Sequence, residues 1–117
     1  MMLLKKAKEK IKELNHWETA KKVERVEVFL DEIQERRYTS SKGNILTRIK
    51  VYDNEKTSAI IVVWGSKNEQ KNLNLIDQLK QGDKFFFSYP KRPASWAIDQ
   101  YGVDFWIHES ESQIIFE

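Results

Sequence analysis

The sequence of 117 residues contains no cysteine, two prolines, four glycines and two histidines. The lack of cysteine excludes disulfides and thiolate metal sites, and it fits a reducing compartment, so we expect a cytoplasmic protein. Because His16 and His108 lie far apart in the sequence, we expect no multi-histidine metal site. No phosphate-binding glycine loop and no nucleophile motif is present. We therefore predict neither enzymatic activity nor a cofactor.

Long hydrophobic runs and an excess of one charge are also missing. No apolar stretch approaches the roughly 20 residues that cross a bilayer, and lysines follow the apolar residues 1–4, which is the wrong order for a secretory signal. The 20 basic and 18 acidic residues give a formal net charge of +2. A nucleic-acid site would therefore need cations segregated on one face. With 40% hydrophobic and 32% charged residues, the chain should form one soluble domain with a modest core.

The most informative stretch that is present is residues 57–65, TSAIIVVWG. Its β-branched residues are stiff at χ1 and prefer a pleated surface, which predicts a strand. Because side chains alternate along a strand, Ile61 and Val63 should face a core, while Trp64 should lie on the opposite side with Ile60. The chain has four tryptophans, four tyrosines and six phenylalanines, and we do not expect a small core to use all of these rings.

An amphipathic helix is predicted at the start of the chain. Its apolar residues recur at helical spacing: Leu3, Leu4, Ala7, Ile11 and Leu14. Asn15 is a stop signal, and helical character is expected to resume over residues 17–22, where Trp17 packs the linker onto the domain. We divide the chain into this helix and linker, residues 1–22, and a barrel domain, residues 23–117. The helix could dock on the domain, bind a partner or a second copy, or lie on a membrane surface.

From Val23 onward the hydrophobic pattern has period two, which predicts strands. The first strand begins its alternation at Val26 and falls out of phase at Ile33, so a β-bulge is expected near residues 31–32. A turn at residues 40–43, in which Gly43 takes a positive φ, leads to a second strand at 46–52. A further turn then leads to the strand that contains Trp64.

A second helix is predicted to begin at Ser66 and Glu69, which have the spacing of a capping box, and to end at Gly82. Its buried stripe should consist of Leu73, Ile76 and Leu79. The remaining predicted elements are a fourth strand at 84–89, a long loop at 90–102, a fifth strand at 103–108 and a short terminal strand at 113–116. Among the aromatic residues of these strands, Phe85, Phe87 and Phe105 are predicted to be core.

The order β-β-β-α-β-β with a bulged first strand predicts a mainly β protein, a five-stranded OB-fold barrel preceded by the amphipathic helix. Four segments carry a family resemblance: V-x-V-x-L at 26–30, the turn at Asp53, I-x-V-W-G at 61–65 and L-K-Q-G-D at 79–83. Over residues 23–108 they resemble the OB domains of archaeal single-stranded-DNA-binding proteins and replication protein A. The chain departs from that pattern at the Asp53 turn, which lacks glycine, and at its N-terminal helix.

The resemblance implies single-stranded DNA binding, in replication, repair or recombination, with Trp64 as a stacking residue. Such a site needs flat rings for the bases and cations for the phosphates. The outward face of the second and third strands adds Arg48, Lys50 and Tyr52. The loop before the fifth strand adds Lys91, Arg92, Trp96 and Tyr101, and the first hairpin adds Arg36, Arg37, Tyr38 and Lys42. Trp64 could instead cap the core or pack under the loop that holds Trp96, and Trp96 could be a buried anchor. Trp106 is expected to be a partly exposed ring or a partner contact.

Three function hypotheses follow. The first is stacking of single-stranded DNA on these rings, with quenching of tryptophan fluorescence and an affinity that falls steeply with salt. The second is a structural OB subunit that binds a protein partner, or itself, through residues 1–14; the apolar character of the face around Ile60 and Val62 supports it. The third is an RNA-binding OB module. No membrane partner is expected.

Overall fold

The sheet has six strands in this computed structural model, which describes residues 1–117. Its strands are β1 (Val26–Thr39), β2 (Ile45–Tyr52), β3 (Ser58–Gly65), β4 (Lys84–Ser88), β5 (Phe105–Ile107) and β6 (Gln113–Ile115). Its helices are α1 (Leu4–Lys12), α2 (Lys71–Asp77) and α3 (Ser95–Tyr101). The protein is therefore mainly β, as predicted, with three helices rather than two. No helix is long and apolar enough to cross a membrane.

The sheet curls into a nearly closed barrel. Its strand order is β5-β3-β2-β1-β4-β6, with β3 and β5 parallel and the other neighbours antiparallel. Beyond the end of β4, the backbone of Lys91 exchanges two hydrogen bonds with Trp106 of β5, at 2.7 and 3.0 Å. This pairing joins β5, at one edge of the sheet, to the segment that follows β4 on the other side of the barrel. The predicted terminal strand is β6, which pairs with β4 and brings the number of strands to six instead of five.

β1 is the strand that bends the sheet. It pairs with β4 over its first four residues and with β2 from Phe29 onward, and its register to β2 shifts between Leu30 and Glu32 and again at two later points. The bulge predicted near residues 31–32 is thus confirmed. A bulge increases local twist, which lets one 14-residue strand serve two sides of a barrel.

Two apolar clusters fill the molecule. The larger one fills the barrel and includes Ile61, Val63 and three predicted core phenylalanines, Phe85, Phe87 and Phe105. The smaller one lies on the outer face of β3 and consists of Val62, Ala94, Ala97, Val103 and Trp106. α3 covers this outer face, so the apolar side of β3 has a partner within the chain.

Three local predictions were wrong. Residues 17–22 form turns and a bridge rather than a helix, and the predicted loop at 90–102 contains α3, which Gly102 ends with a left-handed φ of 64°. Ser66 and Glu69 do not form a capping box. Their backbones instead pair with each other, and α2 begins at Lys71 without a side-chain cap. The predicted end of α2 at Gly82 was wrong as well, because the helix ends at Asp77. Leu73 and Ile76 of α2 and Leu79 beyond its end are nevertheless buried as expected.

α1 belongs to the barrel core and is held at both ends. Leu4, Ala7 and Ile11 are buried in the larger cluster. At its N-terminus, the buried carboxylate of Asp53 accepts the Leu4 backbone N–H at 3.0 Å, and a carboxylate there is favoured by the helix dipole. At its C-terminus, the guanidinium of Arg92 donates to the carbonyl oxygens of Lys12 and Leu14.

Replacing Asp53 should loosen this connection. Asp53 is 2% exposed and also accepts the backbone N–H groups of Glu55 and Thr57, at 3.0 and 3.1 Å. Asp53→Ala leaves these donors without their acceptor, so we expect it to lower the free energy of unfolding by about 2–4 kcal/mol. Asp53→Asn, which keeps one acceptor oxygen, should lower the free energy of unfolding by less. Urea denaturation measures both, and an unchanged midpoint for Asp53→Ala would contradict this role.

Asp104 should make stability depend on pH. Burial raises its pKa above 3.8, although the hydrogen bond from the Ile60 N–H and the nearby charges of Lys8 and Lys12 lower it. Between 3.8 and the raised pKa, the folded state binds more protons at this site than the unfolded state. The contribution of Asp104 therefore becomes more favourable as pH falls through that window.

Asp104→Asn removes this titration. We expect the free energy of unfolding of the wild type, minus that of Asp104→Asn, to rise as pH falls from neutrality through the window above 3.8. Urea denaturation of both proteins over a pH series gives this difference directly. A difference that stays constant or falls as pH falls would show that burial does not raise the pKa of the Asp104 carboxyl group.

Candidate binding cleft

A single large cleft lies against the outer face of β2 and β3, between the β1–β2 hairpin and α3. It encloses about 1050 Å³. Its aromatic lining consists of Trp17, Tyr38, Trp64, Trp96, Tyr101 and Trp106. Four of these six rings, Tyr38, Trp64, Trp96 and Tyr101, are among the predicted site residues. The structure therefore brings together residues from the first hairpin, the third strand and the predicted loop.

All four tryptophans of the chain meet in this cleft. Trp106 is 3% exposed, and its ring centroid lies 4.6 Å from that of Trp17, 5.4 Å from that of Trp64 and 6.2 Å from that of Trp96. The pairs with Trp17 and Trp64 are edge-to-face, the geometry that the ring quadrupoles favour, worth about 0.5–1.5 kcal/mol per pair beyond area burial. Trp106 is thus the centre of the cluster, and the expectation of partial exposure was wrong.

The rings around Trp106 remain accessible. Four of the six exposed large hydrophobic side chains of the protein line this one cleft: Trp17 at 58%, Tyr38 at 53%, Trp96 at 50% and Tyr101 at 50%. Scattered exposed apolar residues need no explanation, but a contiguous patch marks an interaction site. The concentration of accessible rings makes this cleft the candidate functional site.

The local sequence explains how the rings are placed. Alternation along β3 directs Val62 and Trp64 away from the barrel. α3 packs Ala97 on this face and holds Trp96 and Tyr101 on its exposed part.

Arg48 is the predicted cation whose side chain takes part in the aromatic surface. Its guanidinium lies 4.7 Å from the ring centroid of Tyr101, within the range of a cation–π contact. Its Nε also donates to Gln34 at 3.1 Å. Arg48 is in no ion pair, so its charge is available to an anionic ligand.

The charge of the cleft is otherwise balanced. Its cationic lining is Lys42, Arg48 and Lys91, and its acidic lining is Glu35, Glu69 and Glu109. Lys91 is paired with Glu111 at 3.4 Å. A hydrogen bond from Thr19 lowers the pKa of Glu111, with a smaller contribution from the charge of Lys91. The cleft is therefore aromatic rather than strongly basic.

Five of the predicted site residues lie outside this lining and have partners elsewhere. Tyr52 stacks on Phe29, with ring centroids 5.4 Å apart. The ammonium of Lys50 lies 3.9 Å from Asp31, and Arg92 holds the end of α1 as described above. The other two, Arg36 and Arg37, belong to a separate network.

Arg37 connects the first hairpin to α2. Its guanidinium donates to Asp77, Gln70 and Asn74 at 2.7–2.9 Å, and the neighbouring Arg36 also pairs with Asp77, at 2.8 Å. These contacts fix the base of the hairpin, from which Tyr38 extends into the cleft. The two arginines thus have internal partners in this structure.

Three buried side-chain polar atoms of the protein have no hydrogen-bond partner: Nε1 of Trp64, Nε1 of Trp106 and Oε2 of Glu109. All three residues line the cleft. Leaving a buried polar group unpaired costs about 1–3 kcal/mol, so such atoms call for an explanation. They give this region two unused donors and one unused acceptor. No group of three or more histidine, aspartate or glutamate side chains that could hold a metal ion is present.

Sequence reasoning missed two of the cleft residues, Trp17 and Trp106. Trp17 does contact the domain, as expected for a packed linker, but more than half of its surface stays exposed. Trp106 was expected to be partly exposed, and nothing local showed that three other tryptophans surround it. The only signal in the sequence was that all four of these cleft residues are tryptophans.

Comparisons with protein-family models, with curated proteins and with solved structures find no match to this chain. The geometry of the cleft is therefore the basis for the functional argument.

The tryptophan cluster should have a spectroscopic signature. Because Trp106 lies edge-to-face against Trp17 and Trp64 at short distance, their transitions should couple and give an exciton couplet in the far-ultraviolet circular dichroism spectrum. We expect Trp106→Phe, which retains a buried ring, to remove most of this couplet while the protein stays folded. A wild-type spectrum without the couplet would contradict the arrangement.

Proposed function

We propose that the barrel is an OB-fold with one added strand. The meander of β1, β2 and β3, the helix α2 before β4, the parallel pairing of β3 with β5 and the use of β1 by both β2 and β4 support this assignment. In this interpretation β6 is an extension of the sheet beyond β4. α1 fills part of the barrel interior and α3 lies on its outer face.

We propose further that the cleft binds single-stranded nucleic acid, with DNA preferred over RNA. The observation that carries this proposal is the set of four exposed aromatic rings in one cleft on the outer face of β2 and β3. OB-folds use this face, with its flanking loops, to bind oligonucleotides. Bases are flat, and each base stacked on an aromatic side chain contributes about 1–3 kcal/mol.

The charge distribution refines the expected mechanism. Only Lys42 and Arg48 of the cationic lining lack an ion pair, and each phosphate contact contributes about −0.7 to the slope of log affinity against log salt for single strands. Two such contacts predict a slope near −1.4, which is shallower than the steep dependence expected from the sequence. Stacking rather than phosphate neutralisation would then supply most of the affinity.

The unused polar atoms add to this proposal. Bases combine a flat face with hydrogen-bonding edges, and they are read by stacking together with contacts to those edges. The indole N–H groups of Trp64 and Trp106 and Oε2 of Glu109 are buried beside the cleft, so a base edge reaches them only if the side chains around them move. A purely apolar ligand would leave them unpaired.

The alternative of a partner bound through residues 1–14 gains no support from the position of α1. Its apolar side chains Leu4, Ala7 and Ile11 are buried in the barrel core. A partner would therefore meet the charged face of the helix.

The preference for DNA over RNA comes from the family resemblance alone. Competition between DNA and RNA oligonucleotides of matched sequence decides between the two.

Trp96 offers the clearest test, because it is half exposed and lies outside both apolar clusters. We expect oligo-dT to bind wild-type protein and quench its tryptophan fluorescence. Trp96→Ala should weaken binding by about 1–3 kcal/mol, whereas Trp96→Phe should retain most of the affinity. Fluorescence anisotropy of a labelled oligonucleotide measures all three proteins without relying on the tryptophan signal.

Phe116 provides the matched control. It is an exposed aromatic residue that does not line the cleft, so Phe116→Ala should leave the affinity unchanged. Absence of binding by folded wild-type protein at low salt would overturn the proposal. Equal losses for Trp96→Ala and Phe116→Ala would place binding outside the cleft.

A further inference from the structure

We infer that the segment before the barrel is part of the binding site, because it supplies Trp17 as an additional stacking ring. This inference rests on the proposed binding of single-stranded nucleic acid. It assigns a ligand contact to a region outside the barrel strands. It also adds a ring from the N-terminal segment to the stacking rings of α3 and the first hairpin.

The position of the ring supports this inference. Trp17 lines the cleft and packs on Trp106 with an interplanar angle of 68°. It is nevertheless 58% exposed, which makes it the most exposed aromatic side chain among the large hydrophobic residues. A tryptophan whose only role was packing would bury most of its surface. Trp17 belongs to neither apolar cluster, so much of its ring is free for a base.

Five non-glycine residues have a positive φ, and Trp17 is the one among them that lines the cleft. Its φ is 73°, in the left-handed region that a bulky side chain rarely adopts. Such strained conformations persist only where the surrounding structure enforces them, and they concentrate at functional sites. Glycine or asparagine would adopt this conformation more readily. The chain thus keeps a large ring at a position where the backbone disfavours it.

The surroundings that enforce this conformation are visible. The Trp17 N–H donates to the Arg92 carbonyl at 2.8 Å, the Arg92 N–H donates to Glu18, and Ala20 donates to Pro90 at 2.8 Å. The imidazole of His16 also lies 2.7 Å from the Pro93 carbonyl oxygen. The backbone that carries the ring is therefore held in place before any ligand arrives, which lowers the ordering cost of binding.

Trp17→Gly is the decisive variant, because it removes the ring and at the same time suits the positive φ. We expect this variant to remain folded. The relief of backbone strain raises its thermal midpoint, and the lost contact with Trp106 lowers it, so the midpoint should stay close to that of the wild type. Its affinity for a long oligo-dT should fall roughly 5- to 150-fold. Trp17→Phe, which keeps a stacking surface, should recover most of that loss.

The length of the oligonucleotide separates a ligand contact from a structural effect. If a base stacks on Trp17 in addition to the base on Trp96, the loss in Trp17→Gly should be largest with long oligo-dT and small with oligonucleotides too short to occupy both rings at once. An equal loss at every length would indicate a change in the shared cleft and would overturn the inference. If Trp17→Gly binds long oligo-dT as tightly as the wild type does, the inference is also overturned.

These outcomes are distinct from failure of the proposed function. If the wild type binds oligo-dT and Trp96→Ala weakens binding while Trp17→Gly does not, the cleft is a nucleic-acid site and only the role of Trp17 is wrong. If folded wild type does not bind at all, both the function and this inference are overturned.

Discussion

The backbone at Lys91 connects the parts of the molecule that matter for its proposed function. On one side, Lys91 exchanges two hydrogen bonds with Trp106 and so joins the segment after β4 to β5 across the curled sheet. On the other side it pairs with Thr19, through hydrogen bonds made by the neighbouring residues. One short stretch thus closes the barrel, positions Trp106 and attaches the N-terminal segment. The barrel and the cleft are products of the same pairing.

This arrangement explains why an apolar outer face on β3 is compatible with a stable, well-packed chain. α3 covers Val62 with Ala97 and leaves Trp96 accessible. The face is therefore neither an unprotected hydrophobic surface nor a conventional basic groove. It is a partly filled aromatic site in which buried rings support exposed ones, and in which a few unpaired cations, chiefly Arg48, could meet phosphates. Its near-neutral charge agrees with the small net charge of the whole chain.

The sequence predicted the parts of the fold that depend on local pattern. Alternation and turn residues were sufficient for β2 and β3, and the phase break at Ile33 located the bulge of β1. α3 was missed because a seven-residue helix is too short for a clear period, although Gly102 stands at a typical helix end. The pairing of residues 17–20 with 90–92 was missed because partners some seventy positions apart leave no local signal.

The candidate site was predicted in its aromatic part and less well in its charged part. Trp64, Trp96, Tyr101 and Tyr38 do lie together. Whether a cation is free depends on its neighbours in the folded chain, and a sequence does not show that the guanidinium of Arg37 reaches α2 or that Arg92 holds the end of α1. The same limit applied to Trp17, whose position depends on long-range backbone pairing.

The central claim is that a single strand binds in the aromatic cleft, and the indole N–H resonances of the four tryptophans that line it report on binding most directly. Each tryptophan gives one such signal in a ¹⁵N–¹H correlation spectrum, and all four residues line the cleft. On addition of oligo-dT, we predict large shifts of the indole signals, while backbone signals on the exposed face of α1 stay in place. Indole signals that do not move, or shifts centred on α1, would contradict this account.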